Sequence, residues 1–132
     1  MYLRYRATYF NASTNKVEYG FFWAADYLQK SDLEVQDRDR LDELVHWFDH
    51  NLPIPDYYQD EKNRQEAKSA TSWFKDTAIE YIDKMNELGR ILTKNNVNVE
   101  RISRKQLKGK KIYEDEFQVT IIPFKDSIKK VK

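Results

Sequence analysis

The 132-residue chain contains no cysteine. That excludes disulfides, thiolate metal sites and a cysteine nucleophile, and it fits a reducing, cytoplasmic setting. Glycine and proline are scarce, at three residues each. So few glycines leave no room for a glycine-rich phosphate loop or a dinucleotide fingerprint. No apolar run approaches the roughly 20 residues of a membrane helix, and no membrane partner is expected. The first ten residues, MYLRYRATYF, alternate instead of forming the apolar block of a signal peptide. A charge surplus is missing too: 23 basic and 22 acidic side chains leave a net charge of +1. That balance argues against a simple polyanion binder and against an acidic disordered tail. No internal repeat, low-complexity tract or motif of a named family is present.

Aromatic residues are plentiful: nine Tyr, seven Phe and three Trp. A few such side chains can fill the interior of one domain, expected over residues 1–124 with a basic tail at 125–132. Charge is unevenly placed. Asp26 to Glu66 holds twelve acidic and five basic residues, whereas Arg101 to Lys132 holds ten basic and four acidic. Such a split can orient a partner, or the two halves can simply face each other or solvent.

Period-two alternation over residues 2–10 puts Leu3, Tyr5, Ala7 and Tyr9 on one face, predicting a strand. The cluster from Asn11 to Asn15 is a turn, and Lys16 to Trp23 reads as the returning strand, with Gly20 marking a bulge or a close backbone approach. Phe21, Phe22 and Trp23 cannot all share one strand face, so at least one must cover a second surface. Residues 24–36 read as a short helical turn and a loop. A helix is expected over 38–51, capped by Asp37, with Leu41, Leu44, Val45 and Phe48 as its core stripe and Pro53 beyond its end. Residues 53–69 read as an ordered start followed by a linker or short polar helix.

The longest helical pattern runs from Ser72 to Lys94, where Phe74, Ala78, Tyr81, Met85, Leu88 and Leu92 recur at steps of three and four. Thr71 or Ser72 is its expected cap, and Asn95-Asn96 its stop. Val97 to Ser103 and Lys111 to Ile122 read as strands separated by a basic turn. The order β-β-α-α-β-β predicts an α+β two-layer sandwich: a mainly antiparallel four-stranded sheet with two helices packed on one face.

Three constellations bear on function. Asp42, His46 and His50 are spaced by four along a helix, but the outer two stand about 12 Å apart along its axis, too far to share one ion. Both histidines also fall opposite the core stripe, so no metal or other cofactor is expected. Glu114 and Glu116 on one strand face could serve acid–base chemistry or hold a divalent cation in a hydrolase or nuclease. An ordinary cross-strand ladder with Arg4 and Arg6 explains them more simply. The loop carrying Arg101, Arg104, Lys105, Lys108, Lys110 and Lys111 could grip phosphate oxygens of a nucleic acid or phosphorylated ligand.

Trp47 lies about 120° off its helix's core stripe, and Tyr57 and Tyr58 follow in the next segment. Aromatics of this kind are favoured at interaction surfaces, whereas Trp73 reads as cover for a seam. With no catalytic motif in view, binding is expected over catalysis. The expectation is a small interaction or regulatory protein, of the inhibitor type encoded as bacterial or phage accessory genes. It would meet a protein partner through Trp47, Tyr57 and Tyr58, with homodimerisation through the aromatic patch as a further option.

Overall fold

The first residues form the strand that their alternation predicts. In a computed structural model describing residues 1–53, 61–62 and 69–124, strand β1 spans Tyr2–Asn11 and β2 spans Lys16–Tyr19. Helices α1 (Phe21–Gln29) and α2 (Val35–Asn51) follow, then β3 (Thr71–Lys75), α3 (Ile79–Lys94), β4 (Asn98–Arg104), β5 (Gly109–Glu114) and β6 (Gln118–Pro123). The class is α+β, but among the described residues the sheet has six antiparallel strands, not four, and there are three helices, not two. They are ordered β2-β1-β3-β6-β5, and β4 also pairs with β1. Most of the expected 53–69 linker and the whole 125–132 tail lie outside the described residues.

Two expectations fail for identifiable reasons. Residues 71–75 continue the period of the helix beyond them, yet they are extended. β3 is a central strand, with Trp73 opposite Val119 and Ser72 opposite Thr120. Thr71 and Ser72 therefore cap nothing, and the Ser72 and Thr120 hydroxyls bond across the ladder at 2.8 Å. The stretch 111–122 is also not one strand, because Asp115 folds it into a hairpin. Its Oδ1 accepts from the N–H groups of Phe117 and Gln118 at 2.7 and 2.8 Å, and its Oδ2 accepts the Tyr113 hydroxyl at 2.7 Å. An Asp that satisfies its own turn in this way competes with a continuous ladder.

The chain divides into two compact units. The first, a sheet unit, contains Met1–Arg4, Pro53–Tyr81 and Ser103–Lys132. Its central strands bury consecutive residues, Trp73-Phe74 and Gln118 to Ile121, so both faces are covered. The buried Gln118 amide is satisfied by donating to the Pro53 carbonyl at 2.8 Å. Tyr81 closes this core against Phe74 and Phe117, with ring centroids 6.1 and 4.5 Å away.

The second, a helical unit, contains Tyr5–Leu52 and Ile82–Ile102. Tyr5, Ala7 and Tyr9 of β1 are buried there with Phe21, Ala24, Ala25 and Leu28 of α1. The α2 stripe is Leu41, Leu44 and Phe48, and α3 adds Met85, Leu88 and Leu92. The three aromatics from Phe21 start a helix instead of ending a strand, which lets Phe21 turn inward while Trp23 turns out. Asn96 stops α3 with a left-handed φ of 70°, as its residue type predicts.

Asp37 does not cap α2, which begins two residues earlier, after Glu34. It reaches α3 instead, where Lys94 pairs with Asp37 at 3.1 Å and Glu34 at 3.3 Å. A second link between these helices is stronger. Arg40 donates through both Nε and Nη2 to Glu87, the latter at 2.7 Å, and through Nη1 to Glu43 at 2.8 Å. These bonds from Arg40 hold the Glu87 carboxyl below its ordinary range and raise the guanidinium in turn.

Both carboxylates generate tests of acid stability. Glu87→Gln should lower the unfolding free energy by about 1 kcal/mol near neutral pH, since the pair is half-exposed. A depressed carboxyl stabilises above its unfolded pKa, and that contribution is lost as pH falls through the folded one. Urea melts should therefore show the gap between wild type and variant closing below about pH 4; a constant gap would sink the assignment. Burial pushes the Asp115 carboxyl up, but the Tyr113 hydroxyl and the Phe117 and Gln118 N–H groups outweigh it, so its pKa is lowered. Asp115→Ala should cost about 2 kcal/mol, with the same loss of contrast in acid.

Candidate functional site

The hairpin of β1 and β2 leads through Gly20 directly into α1. Gly20 has φ 131°, and a Cβ there would stand 2.7 Å from Cδ1 of Trp23. The backbone therefore requires glycine, and a Cβ would also displace the exposed Trp23 indole. Its N–H donates to the Ala7 carbonyl at 3.0 Å, and its own carbonyl accepts from Ala24 at 2.9 Å. One residue thus ends the ladder and starts the helix.

Glu18 fixes the hairpin. Its carboxylate accepts from the Tyr9 hydroxyl at 3.0 Å, Asn11 Nδ2 at 3.2 Å and the Thr14 hydroxyl at 2.9 Å. Those bonds, Asn11's first, hold the carboxyl below its ordinary value. Burial and the Glu18 carboxylate push the Tyr9 hydroxyl up to about 12. Asn11 Oδ1 also accepts from the Ser13 N–H at 2.9 Å, and the Ala12 N–H reaches the Tyr27 hydroxyl at 3.2 Å. Turn and strand are held at several points.

Among the described residues, the outer edge of this hairpin pairs with no other strand. β2 stands at the end of the strand order. Its register sets Glu18 against Tyr9 and Lys16 against Asn11, and the Gly20–Ala7 bond extends the same ladder. In an antiparallel ladder, hydrogen-bonded pairs alternate with pairs whose N–H and C=O groups point away. The intervening residues, Val17 and Tyr19, therefore direct their backbone groups outward. Around them the surface is apolar. Tyr19 is 73% exposed, Trp23 69%, and the directly opposed Phe10 and Val17 55% each. Phe22, stacked edge-on against Phe21 and Phe48, anchors α1 beside its neighbour Trp23.

The residues expected at a partner surface are distributed differently. Trp47 is half-buried, with its ring edge-on to Phe48 at 5.1 Å and Lys84 Nζ 4.8 Å above it. Tyr57 and Tyr58 lie outside the described residues. Trp73 is buried in β3. Trp23 and Tyr19 were not singled out by sequence reasoning. The available signal was the run of three aromatics after Gly20, of which at least one had to cover a second surface.

The basic loop falls across both units. Arg101 belongs to the helical unit, and the remaining residues to the sheet unit. Arg104 donates to the Ser103 carbonyl at 2.8 Å, and with Lys108 it lines a cleft of about 330 Å³ beside Arg4 and Trp73. Lys105 and Lys110 are exposed. Lys111 is committed to Glu114 at 2.6 Å, and Lys75 approaches the same carboxylate at 2.8 Å. Lys111, then Lys75, lowers the Glu114 pKa to about 2.

Glu116 sits in the turn after Asp115, so Glu114 and Glu116 do not share a strand face. β3 lies between the first and last strands in the order, so the expected ladder from Arg4 and Arg6 to these acids is not formed. His46 and His50 are exposed with ring centroids 4.1 Å apart, and His50 Nδ1 lies 3.0 Å from the His46 carbonyl. Among the described residues no three His, Asp or Glu gather as a metal group, and no helix is long and apolar enough to cross a membrane.

Compared with known proteins, the chain matches no family model, no curated protein and no solved structure.

Proposed function

We propose that this protein is a protein-binding module that takes an extended segment of its partner onto the outer edge of β2. The observation that carries the reading is the edge at Val17 and Tyr19, unpaired among the described residues and flanked by exposed Phe10 and Trp23. An added strand gains main-chain hydrogen bonds from the edge and specificity from side chains at alternate positions. The Glu18 bonds hold the edge in place beforehand, so little ordering cost attends binding. Exposed aromatics supply contact area of the kind that dominates interface energetics. A second copy of the chain is the competing occupant. In a register centred on Val17, Lys16 of one copy would oppose Glu18 of the other.

Val17→Pro tests the reading directly. Its N–H points away from β1, so proline removes an outward donor and no ladder bond, a substitution that edge strands tolerate. Extended peptides selected on the wild-type protein should bind the variant about tenfold more weakly or worse, with its circular dichroism and melting temperature retained. Undiminished binding would overturn the proposal. Concentration-dependent light scattering separates the alternative, since a dimer lost in Val17→Pro identifies a second copy as the occupant.

A further inference from the structure

Away from the hairpin edge, the helical unit contains a cleft of about 510 Å³ between α3 and the first part of β4. That volume lies in the range of small-molecule sites. Its floor includes Gly89, the one glycine inside α3. This glycine has no left-handed φ, and a Cβ would meet Val99 Cγ1 at 3.6 Å and Phe21 at 3.8 Å, which are ordinary contacts. Neither backbone nor crowding demands it, although a glycine within a helix costs stability relative to alanine. The physical effect of the missing side chain is a recess beside Val99.

The free donors on the walls come from Arg90, Arg101 and Asn86. Arg90 and Arg101 both line the cleft, and neither guanidinium has a hydrogen bond or ion pair among the described residues. Arg38 and Arg40, by contrast, are each committed to protein acceptors. Glu87, the acid nearest to Arg90 in sequence on the same helix, is engaged by Arg40. Asn86 Oδ1 accepts from the buried Tyr5 hydroxyl at 2.7 Å, leaving its Nδ2 group as a donor on the wall. The Thr93 hydroxyl is turned back to the Gly89 carbonyl at 2.8 Å. Met85 and Val99 supply apolar surface between these groups.

We propose that this cleft binds a small phosphate monoester, with the phosphate on Arg90, Arg101 and the Asn86 amide and the carbon body over Met85 and Val99. Two guanidinium charges match a phosphate dianion, and their planar forks suit its oxygens. A single carboxylate would leave one of the charges unmatched. The recess at Gly89 gives room beyond a bare phosphate for the esterified group.

The test is a titration of ¹⁵N-labelled protein, followed through the Gly89 backbone and Asn86 side-chain amides. The probes are inorganic phosphate, a sugar phosphate, a nucleoside monophosphate and acetate. Saturable shifts at both amides are expected with the phosphates, tightest for one of the two esters, which identifies the source of the phosphate. Arg90→Gln with Arg101→Gln should weaken that binding by about tenfold or more while leaving the melting temperature intact, because neither side chain is tied to the fold. The proposal is overturned if no probe saturates at these amides, if acetate binds as well as the phosphates, or if the double variant binds equally well.

Discussion

A ten-residue strand with strict alternation constrains everything else in this chain. β1 must bury Leu3, Tyr5, Ala7 and Tyr9 on one face, and the backbone groups along its edges must be paired. It meets that demand by changing partner along its length. Tyr2 and Leu3 pair with β3, Thr8 to Asn11 pair with β2, and β4 joins the same strand. A slip of one residue would expose the whole buried row at once, so the register is sharply specified. The sheet unit and the helical unit each draw part of their core from this strand.

Elements whose local pattern agrees with their burial were legible in the sequence. β1, its turn, the α2 stripe and the Asn96 stop all belong to this group. β3 was not, because Phe74, Ala78 and Tyr81 keep helical spacing across a boundary where the chain passes from strand to helix. Trp73 and Phe74 favour a strand, and only the pairing with β6 decides between the two periods. The β5–β6 hairpin was hidden for a different reason. Its turn contains neither glycine nor proline and depends on one Asp side chain. The same limit applies to the candidate site. Trp47 is off its helical stripe, but a lysine from α3 covers it, whereas Trp23 is exposed because the helix begins earlier than its aromatic run implies.

Several charged side chains are paired within each unit. Lys94 of α3 pairs with Glu34 and Asp37 at the start of α2, and Arg40 of α2 pairs with Glu87 of α3. In the sheet unit, Glu114 is shared between Lys75 and Lys111. Half-exposed pairs of this sort contribute modestly each, so they fix orientation more than they add stability.

The shortness of β2 has a consequence for any segment that docks there. Four residues give a rail of about 13 Å, and only two of them turn their backbone groups outward. That permits on the order of four main-chain bonds, each worth about 1 kcal/mol net. Association entropy consumes most of such a sum. Recognition at this edge would depend on the aromatic flanks and would be quickly reversible. Such an edge suits a component that samples and releases partners more than one locked into a permanent assembly.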